Sequence, residues 1–333
     1  MLRRPERRRA RHAPPRAVPR NARTGEAVLS GGSRICVLCN GRAGRGATAA
    51  VAAAARADPG AEFREVTDPS RLADLAAGAA AEGFEVVAAA GGDGTVGAVA
   101  AGLHRAATGA ALAIVPIGTG NDLARQLGIP LEPAAALALA RAAVEGGRRR
   151  ALDLIACEAP QRPGERLFAT NAVVGGLAGR IGDRIGPEER RRWGRLAYLR
   201  AGLPELVRYT PQPVRLDVDG RRYEAEALLV VVAGGRCAGG GIPFTPTADL
   251  FDGWLDVALI RRVPAWRLPG LLLRVLRGRH LETRGVVAAR GRRVGLEAGG
   301  GFWMNVDGET WVAGCARFTV EPAAVDVLLP PDG

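Results

Sequence analysis

The chain contains no lysine: its 46 basic positions are all arginine. A phosphate-binding P-loop needs the lysine of G-x-x-x-x-G-K-[ST], so that route to nucleotide binding is closed. Schiff-base chemistry and the protein-kinase lysine are excluded with it. Histidine is almost as scarce. His12, His104 and His280 stand in unrelated contexts, which leaves no histidine-based triad or metal cluster to argue from. The five cysteines are odd in number and scattered. Cys36 and Cys39 have C-x-x-C spacing, but in a strand positions i and i+3 face opposite sides, and no second pair completes a zinc site. They read as reduced core thiols of a cytoplasmic protein. Aromatic residues make up 5% of the chain. With so few stacking side chains and no recognition motif, nucleic acid is not an expected partner. No apolar run reaches the roughly 18 residues of a membrane-spanning helix. No apolar h-region follows Met1-Leu2-Arg3-Arg4 before Gly31, so a secretory signal is not expected.

What is present points to a large folded body. At 333 residues and 47% hydrophobic content, the chain can bury two domain cores. The formal charge of +12 is concentrated at one end, because residues 1–34 hold ten arginines against two glutamates. Residues 1–33 read as a disordered Arg-rich tail, with attraction to a membrane surface as the alternative role.

From Arg34 to Arg150, strand and helix patterns alternate. Strands are expected at Arg34–Leu38, Glu62–Val66, Phe84–Ala90 and Ala111–Pro116. Helices are expected at Ala47–Arg56, Arg71–Glu82, Thr95–Arg105, before Gly128, and at Pro133–Glu145. Such alternation implies a doubly wound parallel sheet covered on both faces, with ligands beyond the carboxyl ends of its strands. Beyond Arg150 the pattern turns β-rich. Strands are expected at Arg150–Cys157, Leu167–Val174, Val214–Val218, Arg221–Val232, Trp254–Ile260, Val286–Ala289, Arg292–Leu296 and Phe302–Val306, with helices at Pro187–Tyr209 and Pro264–Gly278. Asp219-Gly220 is a two-residue hairpin signal. The fold class is therefore α/β plus β. A nucleotide-binding α/β domain over 34–150, with 318–333 as a candidate completing segment, stands beside an antiparallel β-sandwich over 151–317.

Two apolar strands end in glycine turns that open helices: Gly91-Gly92-Asp93-Gly94-Thr95 and Gly118-Thr119-Gly120-Asn121-Asp122. Such turns aim backbone N–H groups at an anion. Each carries an Asp, which suggests a nucleoside triphosphate with its Mg²⁺ rather than a bare phosphate. Glycine lets the main chain approach phosphates without a Cβ in the way, and Thr95 and Thr119 can add hydroxyl donors.

These motifs, in order with Asn40-Gly41-Arg42-Ala43-Gly44, Gly239-Gly240-Gly241, Asp252-Gly253-Trp254-Leu255-Asp256 and Asp307-Gly308-Glu309, resemble bacterial lipid kinases of the diacylglycerol kinase catalytic-domain family. Sphingosine and ceramide kinases share that family. The resemblance runs from about Arg34 to the C-terminus. It implies an NAD kinase/diacylglycerol kinase-like fold and transfer of the γ-phosphoryl of ATP to a lipid hydroxyl, most simply diacylglycerol giving phosphatidic acid. It implies nucleotide contacts from Asn40, Gly44 and Thr67 besides the two loops, and a catalytic Mg²⁺ held by Asp93, Asp122 and Asp153. It further implies Glu309 as general base, Asp307 as its support or the metal's, and a structural Mg²⁺ at Asp249, Asp252 and the main chain of Trp254. In this family x-Asn-Glu usually follows the first loop, where this chain has Val96-Gly97-Ala98, and Asn40-Gly41 replaces the usual Asn-Pro.

The acceptor site is expected among basic amphipathic stretches, Arg190–Tyr209 and Trp266–Arg279, which can lie transiently on an anionic bilayer. The resulting picture is a cytoplasmic enzyme, peripheral at the inner membrane surface, with related proteins suggesting a homodimer. Two other readings stand beside it. An NAD kinase-like small-molecule kinase would share the first glycine loop, and a nucleotide- or lipid-binding regulator would explain Gly97-Ala98.

Overall fold

The computed structural model describes residues 35–43, 45–144, 147–177 and 209–331. The arginine-rich tail, Gly44 and, but for Tyr209, the helix expected at 187–209 lie outside the described residues.

The first lobe is β1 (Ile35–Asn40), α1 (Arg45–Arg56), β2 (Ala61–Val66), α2 (Leu72–Ala81), β3 (Val86–Gly91), α3 (Asp93–Ala106), β4 (Ala111–Pro116), α4 (Asp122–Gln126) and α5 (Pro133–Val144). Strands β2, β1, β3 and β4 pair in parallel in that order. Strands β1, β3 and β4 are apolar runs because helices cover both faces of the sheet, and their side chains are buried almost throughout. Alanine dominates the helices and brings them close. A Cβ on Gly102 of α3 would strike the carbonyl oxygen of Ala73 in α2, so the two helices pack through bare backbone.

The second lobe is β5 (Arg149–Glu158), β6 (Arg166–Ala169), β7 (Ala172–Gly176), β8 (Gln212–Val218), β9 (Arg221–Ala233), β10 (Leu255–Arg261), α6 (Leu268–Leu276), β11 (Val286–Gly291), β12 (Arg293–Val306) and β13 (Glu309–Leu328). Strands β9 and β12 are long enough to pair with β8 at one end and β7 at the other, all antiparallel. The lobe thereby closes around an apolar interior that includes Leu216, Val230, Leu296, Phe302 and Met304.

The α/β plus β class read from the sequence holds, and three elements differ from expectation. Leu167–Val174 is not one strand but β6 and β7, broken at Thr170 and Asn171. Arg292–Leu296 and Phe302–Val306 belong to one strand, β12, with a register shift between Glu297 and Phe302 where three glycines intervene. The twenty-residue β13 was not among the expected strands, although 318–333 was the candidate completing segment of the first domain. This strand pairs antiparallel with β12 and β5, then reaches β4 in parallel through Val327 and Leu112. One hydrogen-bonded sheet thus runs through both lobes.

Replacing Gly102 by alanine should lower the free energy of unfolding by about 1–3 kcal/mol through overpacking of α2 on α3. A urea titration followed by circular dichroism would register this as an earlier midpoint at unchanged slope.

Candidate active site

Strands β3 and β4 are in register to their ends, where Gly91 pairs with Pro116. The two glycine turns therefore leave the sheet side by side. A Cβ on Gly91 would run into the side chain of Thr95, and one on Gly118 would run into the Cα of Gly92. Only glycine permits this backbone-on-backbone packing. Gly92 is the extended N-cap of α3, with no side-chain cap, so the first N–H groups of a fourteen-residue helix stay open to an anion. Thr95 is buried and accepts a hydrogen bond from Asn40 Nδ2 at 3.1 Å. Its hydroxyl therefore ties the first turn to the end of β1, whereas Thr119 is exposed at the tip of the second. Asn121 shapes that second turn. It takes the left-handed conformation at φ +52°, accepts from Gly118 N–H at 3.1 Å and donates to the Gly118 carbonyl at 2.8 Å. Asn40 pairs with Val66, which brings Thr67 to the same sheet edge.

Asp93 and Asp122 converge between the turns. Asp93 Oδ1 accepts from Leu123 N–H at 3.0 Å, and Asp122 Oδ2 accepts from Gly240 N–H at 2.8 Å. The remaining oxygen of Asp122, Oδ1, has no hydrogen-bond partner although the residue is only 4% exposed. A Cβ added to Gly120 would lie 3.0 Å from Asp93 Oδ2 and 3.7 Å from Asp122 Oδ2, so both carboxylates address one small space. Burial, and secondly the charge of Asp93, push the pKa of Asp122 up to about 6. Among the described residues no group of three or more His, Cys, Asp or Glu side chains could hold a metal. Two carboxylates with an unpartnered oxygen nevertheless fit Mg²⁺, which takes few protein ligands when phosphates supply the rest.

Asp307 and Gly308 form the two-residue turn between β12 and β13, both at positive φ, as an Asp-Gly hairpin favours. The Asp307 carboxylate turns inward. Oδ2 accepts from the N–H and the hydroxyl of Thr170, the latter at 2.7 Å, and from Asn171 N–H at 3.3 Å. Oδ1 accepts from Ala172 N–H at 3.1 Å. These donors favour the anion, yet burial dominates and raises its pKa to about 6. The same turn leans on the first glycine loop, because a Cβ on Gly94 would meet the Asp307 carbonyl oxygen at 3.1 Å. A Cβ on Gly97 would stand 3.4 Å from Asp307 Oδ2. With donors already supplied by Thr170–Ala172, that carboxylate needs no polar side chain at position 97. Glu309 follows directly and pairs with Val306; its side chain lies outside the described residues.

The structure does not bring Asp153 to Asp93 and Asp122, as the sequence reading expected. Its oxygens accept instead from Gly253 N–H at 2.6 Å and Ala323 N–H at 2.8 Å. Burial raises its pKa, opposed by these two bonds and reinforced by Asp252 and Asp249. Asp153 is a fastener between the Asp249–Trp254 turn and β13. At that turn the expected structural cation also fits poorly. Asp249 Oδ1 accepts from Phe251 N–H and Asp252 Oδ1 from Trp254 N–H, while Asp252 Oδ2 pairs with the Arg290 guanidinium. Arg290 reaches Asp256 as well, at 3.4 Å, so a positive charge already stands among these acids. The Trp254 ring lies 5.7 Å from that same guanidinium.

Sequence reasoning missed Thr170, Asn171 and Gln126. Gln126 Nε2 donates to Asn171 Oδ1 at 2.9 Å and its Oε1 accepts from Arg236 N–H at 2.6 Å, joining the second glycine turn to the second lobe. Only the Gly239–Gly241 run signalled a close approach, and Gly240 is the residue that meets Asp122.

Residues 34–157 match the diacylglycerol kinase catalytic domain family, and residues 171–329 match the YegS C-terminal NAD kinase beta sandwich-like domain. A Pseudomonas putida protein named "Probable lipid kinase YegS-like" is 36% identical over 257 residues, covering 77% of this chain and 81% of that protein. A Mycobacterium tuberculosis protein named "Diacylglycerol kinase" is 35% identical over 265 residues, covering 78% and 81%. Two crystal structures from Bacillus anthracis str. Sterne share the fold. One superimposes with a TM-score of 0.72 at 21% identity, over 90% of this chain and 96% of the other. The second, of a diacylglycerol kinase, gives 0.62 at 19% identity, over 90% and 97%.

Replacing Asp153 by alanine leaves two N–H groups unpaired, at about 1–3 kcal/mol each. The variant should melt at lower temperature while its turnover at permissive temperature stays near the parent's. A selective loss of turnover at full stability would return Asp153 to the catalytic group.

Proposed function

The chain belongs to the diacylglycerol kinase catalytic-domain family of lipid kinases, and from that membership we propose that it phosphorylates diacylglycerol to phosphatidic acid. ATP is the donor. Its phosphates lie along the two glycine turns, where open N–H groups of the α3 N-terminus and main-chain N–H groups of Thr119 and Gly120 meet them. Asp93 and Asp122 would hold Mg²⁺, which when bound neutralises charge on the β- and γ-phosphates. Glu309 takes the proton from the lipid hydroxyl as it attacks the γ-phosphorus in line. Asp307 is a positioning residue: anchored on Thr170–Ala172, it presents the start of β13 to the first glycine turn. The observation that carries this reading is the approach of the Asp307 carbonyl to Gly94, which supports a β13 that starts, at Glu309, two residues on from a contact with the loop carrying Asp93. The enzyme works at the cytoplasmic membrane surface, where its acceptor resides.

Transfer of labelled γ-phosphate to diacylglycerol, a sphingoid base and NAD, each in turn, tests the acceptor. Label should enter diacylglycerol; label confined to another acceptor would overturn the assignment. In the same assay Glu309→Gln should lose at least about 100-fold in turnover, with nucleotide affinity unchanged.

Asp122 must be ionised to ligate a cation, and burial has raised its pKa to about 6. Mg²⁺-dependent nucleotide affinity should therefore climb with pH through that value and level off above it, with about a fourfold deficit half a unit below. Isothermal titration across this range measures the climb, and Asp122→Asn should flatten it.

A further inference from the structure

Four large apolar side chains are exposed among the described residues, and three of them share one short segment. Trp266 is 74% exposed, Leu273 47% and Leu276 39%. Trp266 lies in the turn that leads into α6, and Leu273 and Leu276 lie on α6 itself. With Pro269, also exposed, they follow a three-four-three spacing, which is one helical stripe. The opposite side of α6 is anchored, since Leu271 and Val275 are buried in the cluster that contains Val231, Phe244 and Ala172. Ala172 is the residue whose N–H holds Asp307. The helix is therefore firmly seated, and its outward stripe is an apolar surface left to water.

Charge selects what covers it. Arg267, Arg274 and Arg277 accompany the stripe, Arg279 follows, and all four are exposed. Among the described residues no carboxylate pairs with any of them; Arg267 instead sits over the Trp266 ring, 4.6 Å from its centroid. From Val257 to Leu281 the sequence has no acidic residue at all. An apolar stripe carrying tryptophan, edged by unpaired arginines, matches the boundary of an anionic bilayer, where rings and leucines enter the acyl region and guanidinium groups meet headgroups.

We propose that the exposed face of Trp266–Arg279 is the surface by which this protein docks on anionic membranes. The inference rests on the lipid-kinase reading above, since the acceptor resides in such a membrane. The buried side of α6 shares its apolar cluster with Ala172, the neighbour of the Asp307 anchor.

The test separates docking from catalysis. Cosedimentation is measured without ATP, on vesicles of phosphatidylcholine and on vesicles of equimolar phosphatidylcholine and phosphatidylglycerol. The parent protein should pellet with the mixed vesicles and not with the neutral ones. Arg267→Gln/Arg274→Gln/Arg277→Gln should weaken this binding by about fivefold for each charge removed. Trp266→Ala/Leu273→Ser/Leu276→Ser should weaken it by about tenfold or more. Equal binding to both vesicle types, or unchanged binding by either variant, overturns the proposal. So does a change from dimer to monomer in the apolar variant with vesicle binding retained, which would assign the face to a second copy of the chain. If no lipid is phosphorylated by any protein while the vesicle results stand, docking survives and the kinase assignment fails.

Discussion

A single buried carboxylate fastens the site together. Asp307 is 8% exposed and collects donors from Thr170, Asn171 and Ala172. A buried acid is costly unless its oxygens are satisfied, and here the satisfaction comes from the chain break between β6 and β7. That break exists because Thr170 and Asn171 turn their N–H groups to the carboxylate instead of to a neighbouring strand. In return the Asp307-Gly308 turn is pressed onto Gly94, and β13 begins beside the first glycine loop. Remove the anchor and the Asp307-Gly308 turn loses the bonds that hold it against the first glycine turn.

The second lobe makes a further attachment at the other turn. Gly240 donates to Asp122, and Gln126 joins Asn171 and Arg236. Each acidic residue of the nucleotide site is thus set partly by backbone from elsewhere. Asp93 takes Leu123 N–H from the helix after the second turn, and Asp122 takes Gly240 N–H from the second lobe. The two carboxylates stand close because neutral main-chain donors hold them there, and their mutual repulsion adds to burial in the raised pKa of Asp122.

Much of this was legible in the sequence, for a physical reason. Parallel strands buried on both faces write long apolar runs, and glycine turns that admit no Cβ write themselves as glycine. Hence β1, β3, β4 and both loops could be read directly. Long-range hydrogen bonds leave no such trace. Thr170 and Asn171 sat inside an apparent strand, and no strand was expected where the twenty residues of β13 lie. Asp153 was assigned to the metal by family resemblance alone, while its partners, Gly253 and Ala323, are 100 and 170 positions away.

Strand β13 bears on how the molecule is made. It comes after every other strand among the described residues, yet it supplies the neighbour of β4 in the first lobe and of β5 and β12 in the second. Until it is synthesised, β4 presents an open edge to solvent, a ready template for mispairing. Neither half can mature on the ribosome ahead of the other, so a nascent chain must be kept from aggregating until β13 emerges.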